Sequence, residues 1–148
     1  MTAIKKCLRL ILPLILPLTI ILFGTVTKWH YVKVEDGASD FLYGFPLAYM
    51  CNGWNTSGSL QIFLAELIFD FAVYFAICLV IVLAIQSFFK PIIVKKFISV
   101  VLYGISTLIV LFYGMLFSNP NNVFETKRNF KCTEVSNGYK FMWQQNKR

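Results

Sequence analysis

Long apolar runs, separated by short polar segments, dominate the hydrophobic pattern of this chain. Runs without a charged residue cover 10–27, 71–89 and 97–117. At a rise of about 1.5 Å per residue, each would extend roughly 27–32 Å as a helix, close to the ~30 Å hydrocarbon thickness of a bilayer. The pattern therefore predicts an all-α membrane protein with three transmembrane helices, at about 10–27, 70–89 and 97–117.

The first apolar run could instead be a signal peptide, because Lys5, Lys6 and Arg9 precede it. However, its exit, "LFGTVTKWH", lacks two small residues in the spacing of a signal-peptide cleavage site. Pro13 and Pro17 fall on one helical face and would kink the segment. We expect it to be retained as the first span, so that residues 1–148 form a single integral membrane domain.

Positive residues beside the runs set the expected orientation. Lys90, Lys95 and Lys96 lie between the second and third runs, and the basic amino terminus precedes the first. Because cytoplasmic loops carry an excess of Lys and Arg, both should be cytoplasmic. The loop 28–58 and the tail 118–148 would then be extracytoplasmic, although the tail is also basic. This assigns a multi-pass plasma-membrane protein with its carboxyl terminus outside.

Composition supports a membrane class and weakens a nucleic-acid role. Hydrophobic residues make up 57% of the chain and charged residues only 14%, whereas the surface of a soluble domain needs about twice that charge. The net charge of +7 is explained by residues that anchor helices to lipid headgroups. The expected partners are therefore the lipid bilayer and a partner protein or a second copy, with no nucleic acid.

Two carboxylates interrupt the start of the second run, in "LAELIFDFAVYF". Glu66, Asp70 and Tyr74 are spaced four residues apart and share one face of a helix. If the lipid-facing part begins just after Asp70, both acids lie solvated at the membrane boundary, where they also suit the positive end of the helix dipole. If the helix lies deeper, an immersed carboxylate would mark an ion or proton route. The boundary position is favoured and the route stays open.

The loop 28–58 contains the aromatic stretch "DFLYGFPLAYMCNGWNTSGS". A loop this apolar should fold back onto the membrane surface. Tyr43, Phe45, Pro46 and Trp54 are candidates for a headgroup-level interface or, alternatively, a contact surface for a partner protein.

The tail 118–148 suggests a β-hairpin, because Asn137-Gly138 suits a type I′ turn between two alternating segments. A disordered basic tail is the alternative. Cys51 and Cys132 lie on the same side of the membrane in the three-span topology, so a disulfide between them is possible if that side is oxidising.

Catalytic and nucleotide-binding motifs are absent from the sequence, and one histidine, His30, is too few for a typical metal site. We therefore expect no enzyme activity, no metal and no cofactor. The favoured function is an accessory or structural binding subunit of a membrane complex. The alternative is an oligomeric ion or proton conduit that uses Glu66, Asp70 and Tyr74.

The motif "YGFPLAY" ahead of an acidic second helix, over about 42–75, resembles that of small bacterial multi-pass membrane proteins with no assigned activity. The resemblance implies a bacterial plasma membrane. It assigns no functional residue.

Overall fold

The computed structural model describes residues 11–35, 39–53, 56, 58–88 and 94–141. A π-helical turn, Ile11–Ile15, leads into the first of three α-helices: α1 Leu16–Thr25, α2 Leu64–Phe88 and α3 Lys96–Phe117. The strands are β1 Val26–Val34, β2 Asp40–Tyr43, β3 Met50–Asn52, β4 Leu60–Phe63, β5 Val123–Glu125 and β6 Cys132–Phe141.

The six strands form one mixed sheet, so the all-α prediction is wrong. Their order is β5-β4-β3-β2-β1-β6, with β4 and β5 parallel and the other neighbours antiparallel. The segment predicted as a surface loop supplies β1, β2 and β3. Its first strand, "VTKWHYVKV", is rich in β-branched and aromatic residues, which favour a pleated surface. The charges within that segment obscured its strand character.

Among the described residues, two helices, α2 and α3, are long and apolar enough to cross a membrane. The first apolar segment is a shorter helix, Leu12–Thr25, after which the chain passes directly into β1. At ~1.5 Å per residue the described part of this helix extends about 21 Å, less than the ~30 Å hydrocarbon core. The prediction of three spans is therefore corrected to two membrane-capable helices.

The short helix α1 packs between α2 and α3. Ile15 is fully buried against Cys78 and Val82 of α2. On the other side, Gly24 meets α3 so closely that a Cβ atom there would collide with the Cγ2 of Ile109 and lie 3.3 Å from the Tyr113 ring. A small residue at this position is what lets the two backbones approach.

The sheet and the helices share a hydrophobic core. Tyr49, Met50 and Ile62 are buried there and contact side chains from the sheet ends of all three helices, namely Phe23, Leu67 and Phe117. A second core on the sheet contains Val32, Val34, Leu42, Cys51 and Phe63, and Phe130 packs against it. Consequently the sheet is fixed to one end of the helical layer.

The predicted tail hairpin is also wrong, because Asn137-Gly138 lies inside one continuous strand. β6 pairs with β1 over nine residue pairs, from Val26↔Phe141 to Val34↔Cys132, with an irregularity between Tyr31 and Val32. An isolated hairpin is marginal in water, whereas this strand extends an existing sheet. Opposite Gly138, the Trp29 indole lies 2.9 Å from where a Cβ would stand, so glycine serves packing here rather than a turn.

The α1–α3 contact can be tested by Gly24→Ala. The added methyl should push α1 from α3 and lower the free energy of unfolding by about 1–3 kcal/mol. Gly104→Ala on α3 is the matched control, because a Cβ there meets no described atom within 4 Å. It should stabilise by up to about 1 kcal/mol through helix propensity. Thermal unfolding in detergent measures the stability of both variants. Equal stability changes in Gly24→Ala and Gly104→Ala would contradict the close approach of α1 to α3.

Candidate functional site

The most deeply buried carboxylate described is Asp70, in the second turn of α2 beside the sheet. Its side chain is 0% exposed. Oδ1 accepts a hydrogen bond of 3.0 Å from the Leu47 N–H. Oδ2 is buried and has no hydrogen-bond partner among the described residues. The expectation of a solvated acid is therefore wrong for Asp70, because protein covers it.

The covering segment is the loop between β2 and β3. Gly44 has φ +145°, and a Cβ there would collide with the Leu47 carbonyl and lie 2.7 Å from the Tyr49 ring. Only glycine fits this combination of backbone angle and space. The Gly44 N–H donates to the Lys28 carbonyl at 3.0 Å, and the following Phe45–Pro46 peptide is cis. The loop is thus held to β1 at its start and to Asp70 at its end.

Aromatic rings enclose the same junction. Phe23 of α1 stacks on Tyr49 with ring centroids 5.3 Å apart. It also makes edge contacts with Phe71 at 5.6 Å and Tyr74 at 5.5 Å. The rings exclude water from the space around Asp70, which strengthens its hydrogen bond to the loop.

The hydroxyl of Tyr49 is buried close to that of Thr27 and makes no hydrogen bond of standard geometry with a described residue. Burial raises the pKa of Tyr49, and the nearby Tyr113 and Asp70 raise it further. The group therefore stays a neutral hydroxyl at physiological pH. The junction combines this neutral hydroxyl with the buried carboxyl group of Asp70.

The predicted stripe of Glu66, Asp70 and Tyr74 separates into three contacts. Glu66 is half-buried, and its Oε1 accepts a 3.3 Å hydrogen bond from the Arg128 N–H, in the segment after β5. Asp70 holds the loop before β3, and Tyr74 packs against Phe23 of α1. The stripe thus connects α2 with three other parts of the chain.

Of the four residues predicted for an aromatic interface, the structure describes Tyr43, Phe45 and Pro46. Tyr43 belongs to β2, and the Lys140 Nζ lies 4.3 Å above its ring centroid. Phe45 makes an edge contact with Tyr139 of β6 at 5.8 Å. Pro46 is exposed, and Trp54 lies outside the described residues. Tyr43 and Phe45 therefore contact β6.

His30 is a residue of this junction that the sequence analysis left without a role. Its Nδ1 lies 2.6 Å from Glu134 Oε2, and its Nε2 lies 3.3 Å from the Gly44 carbonyl oxygen. Both bonds exist together only when both ring nitrogens carry a proton. The contact with His30 lowers the pKa of Glu134. The alternation of "VTKWHYVKV" is the signal that could have placed His30 on a strand.

The two candidate cysteines are free thiols in the structure. Cys51 lies in β3 and Cys132 begins β6, three strand positions away in the sheet. Cys132 packs against the core cluster that contains Cys51, but two other strands, β2 and β1, lie between β3 and β6 in the sheet order. The possible disulfide is therefore not formed in this structure.

Within the described part of the chain, no group of three or more His, Cys, Asp or Glu side chains could hold a metal ion. The chain matches no family model, no curated protein and no solved structure. Function is accordingly inferred from the geometry of the chain itself.

Asp70 should protect the loop amide from hydrogen exchange. In Asp70→Ala the Leu47 N–H loses its acceptor, which should lower the free energy of local opening by about 1–3 kcal/mol and speed exchange roughly 5–150-fold. Asp70→Asn keeps an acceptor oxygen and should retain most of the protection. Glu66→Ala, which removes a neighbouring carboxyl, is the control. Unchanged exchange at Leu47 in Asp70→Ala would contradict the anchoring role.

The reactivity of Cys51 should reflect its burial. Burial, followed by the charges of Asp40 and Glu125, raises the pKa of Cys51 to about 12. Because the thiolate is the reactive form, its maleimide reaction at pH 8 should be at least about tenfold slower than that of Cys132. The Cys51 rate should still increase with each pH unit towards pH 12. Peptide mass spectrometry measures the extent of labelling at each cysteine separately. Unfolding in SDS should make the two labelling rates equal.

Proposed function

We propose that the chain is an accessory binding subunit of the bacterial plasma membrane, with α2 and α3 as its spans. The support is the surface of these helices, since 17% of the most apolar window in α2 and 6% of that in α3 are buried. A core helix of a soluble protein would bury most of such surface. Side chains such as Val80, Leu108 and Met115 instead point outward, as lipid contacts require.

The proposed orientation follows from the connection of the two spans. Both helices meet the sheet at one end, and Lys95 and Lys96 stand at the opposite end, where α3 begins. By the excess of positive residues in cytoplasmic loops, that end is cytoplasmic. The sheet then forms an extracytoplasmic cap.

The single observation that carries the binding role is the edge strand β6. It runs for 10 residues at the border of the sheet, and β1 is its neighbour among the described strands. Val135 and Tyr139 on it are 63% and 64% exposed. A long edge strand is normally shielded, because its backbone groups can pair with another chain. We infer that a partner protein, or a second copy, adds a strand beside β6.

The alternative conduit would need a polar path beyond Tyr74. The next residues on that face of α2, Cys78 and Val82, pack against Ile15 in an apolar cluster. Asp70 itself is closed off by the loop that ends at Leu47. These contacts favour the binding role over ion or proton passage.

Purification in mild detergent should recover a stoichiometric partner or a homo-oligomer. Val135→Lys replaces an exposed apolar side chain of β6 by a charged one and should lower recovery about tenfold or more. Asn121→Lys, an equal gain of charge at the exposed turn before β5, should leave recovery unchanged. A strictly monomeric particle, or equal recovery with both variants, would overturn the proposal.

A further inference from the structure

A pocket of about 600 Å³ lies on the sheet, apart from the Asp70 junction. Three aromatic rings line it: Trp29 and Tyr31 from β1, and Phe41 from β2. The Trp29 and Phe41 centroids are 6.0 Å apart with planes at 65°, and those of Tyr31 and Phe41 are 5.0 Å apart at 47°. Trp29 and Tyr31 thus both pack at an angle against Phe41, and all three rings face the pocket.

One carboxylate, that of Asp40, belongs to a residue that also lines the pocket. Asp40 Oδ1 accepts hydrogen bonds from the Phe41 N–H at 2.7 Å and from Asn52 Nδ2 at 3.0 Å. These two donors fix the carboxylate in place. Of the described residues that line the pocket, Asp40 is the only charged one, and Ser39, Asn52 and Ser136 supply the other polar groups. The described lining of the pocket therefore carries a negative charge, although the chain as a whole carries +7.

We propose that this pocket binds an organic ammonium ion. A cation gains electrostatic attraction when it lies within about 6 Å of an aromatic centroid, and Trp is the strongest such ring. The Asp40 carboxylate compensates the charge of the ion while the rings contact its alkyl groups. A flat sugar face would fit a single coplanar platform better than three mutually tilted rings.

The pocket is already formed before a ligand enters. The Trp29 indole packs on Gly138 of β6, where a Cβ would stand 2.9 Å from the ring. Pairing of Trp29 with Tyr43 and of Tyr31 with Phe41 across β1 and β2 sets the ring positions. Such preorganisation lowers the ordering cost of binding. The inference stands independently of the proposed partner at β6.

The test uses the full chain in detergent micelles and choline chloride as the probe, with binding followed by calorimetry. The control ligand is the neutral isostere of choline, in which carbon replaces the nitrogen. Choline should bind at least about tenfold more tightly than this isostere, because the attraction depends on the positive charge. Equal affinity, absence of choline binding, or displacement of choline by a neutral sugar would overturn the proposal.

Two variants locate the binding in this pocket. Asp40→Asn keeps an oxygen for the two N–H donors and removes the charge, and Tyr31→Leu removes one ring. Each should weaken choline binding about tenfold or more. Glu35→Gln removes a negative charge from the turn after β1, outside the pocket, and should bind choline like the unaltered chain. Each variant should unfold at the same temperature as the unaltered chain, which shows that its fold is retained. Equal choline affinity in all variants would contradict binding in this pocket.

Reconstitution distinguishes two sources of the same chemistry. In nanodiscs of phosphatidylcholine, a lipid headgroup that occupies the pocket should compete with free choline. In nanodiscs of phosphatidylglycerol, whose headgroup has no ammonium, free choline should bind as in micelles. Competition identifies a lipid headgroup as the ligand, and equal binding in both identifies a free cation. Loss of binding in both would overturn the proposal.

Discussion

A helix and a strand follow each other without a connecting loop at two places in the chain. At Thr25–Val26 a helix leads into a strand, and at Phe63–Leu64 a strand leads into a helix. This continuity is the constraint on which the other features depend. Since α1 runs into β1 and β4 runs into α2, neither helix can move without its strand. The Phe63 N–H donates to the Tyr49 carbonyl at 2.8 Å, which ties the second passage to the residue that packs on α1. The sheet and the helical layer therefore behave as one packed unit.

Asp70 illustrates how this constraint is used. A buried carboxylate loses hydration worth several kcal/mol, and the loss is tolerable only where hydrogen bonds replace water. The continuous β4–α2 passage brings the second turn of α2 under the loop that contains Gly44, and the Leu47 N–H supplies one replacement bond. His30 binds the same loop at the Gly44 carbonyl and Glu134 at its other nitrogen. A chain of polar contacts thus connects β6, β1 and α2.

The sequence predicts the two long helices well, since absence of charge over a bilayer's thickness is a local property. The predicted ranges 70–89 and 97–117 compare with Leu64–Phe88 and Lys96–Phe117. The strand Val26–Val34 is harder to predict, because lysines and a histidine alternate there with apolar residues. Its charges are typical of a solvated loop, whereas its alternation is typical of a strand. Asn137-Gly138 was misassigned because its pairing with β1 is set about 108 residues away in the chain.

The candidate sites were predictable only as residue types. Asp70 was identified, but its burial depends on a loop 23 positions earlier in the chain. The aromatic pocket requires the register that places Tyr31 opposite Phe41, and no local pattern specifies that register. The same holds for the thiols of Cys51 and Cys132, whose separation follows from the strand order. Long-range pairing, rather than composition, decides each of these cases.

The short first helix shows how such pairing also solves a local problem. In a π-helix each carbonyl accepts a hydrogen bond from the N–H five residues later. For Leu12, in the π-helical turn Ile11–Ile15, that residue is Pro17, which has no N–H. The hydroxyl of Tyr103 on α3 donates to that carbonyl at 2.6 Å. In an apolar layer a backbone group must find a protein partner, because neither water nor lipid hydrocarbon offers a donor there. Pro17 is thus compatible with the place of α1 between α2 and α3, because a neighbouring helix supplies the hydrogen bond that this proline cannot donate.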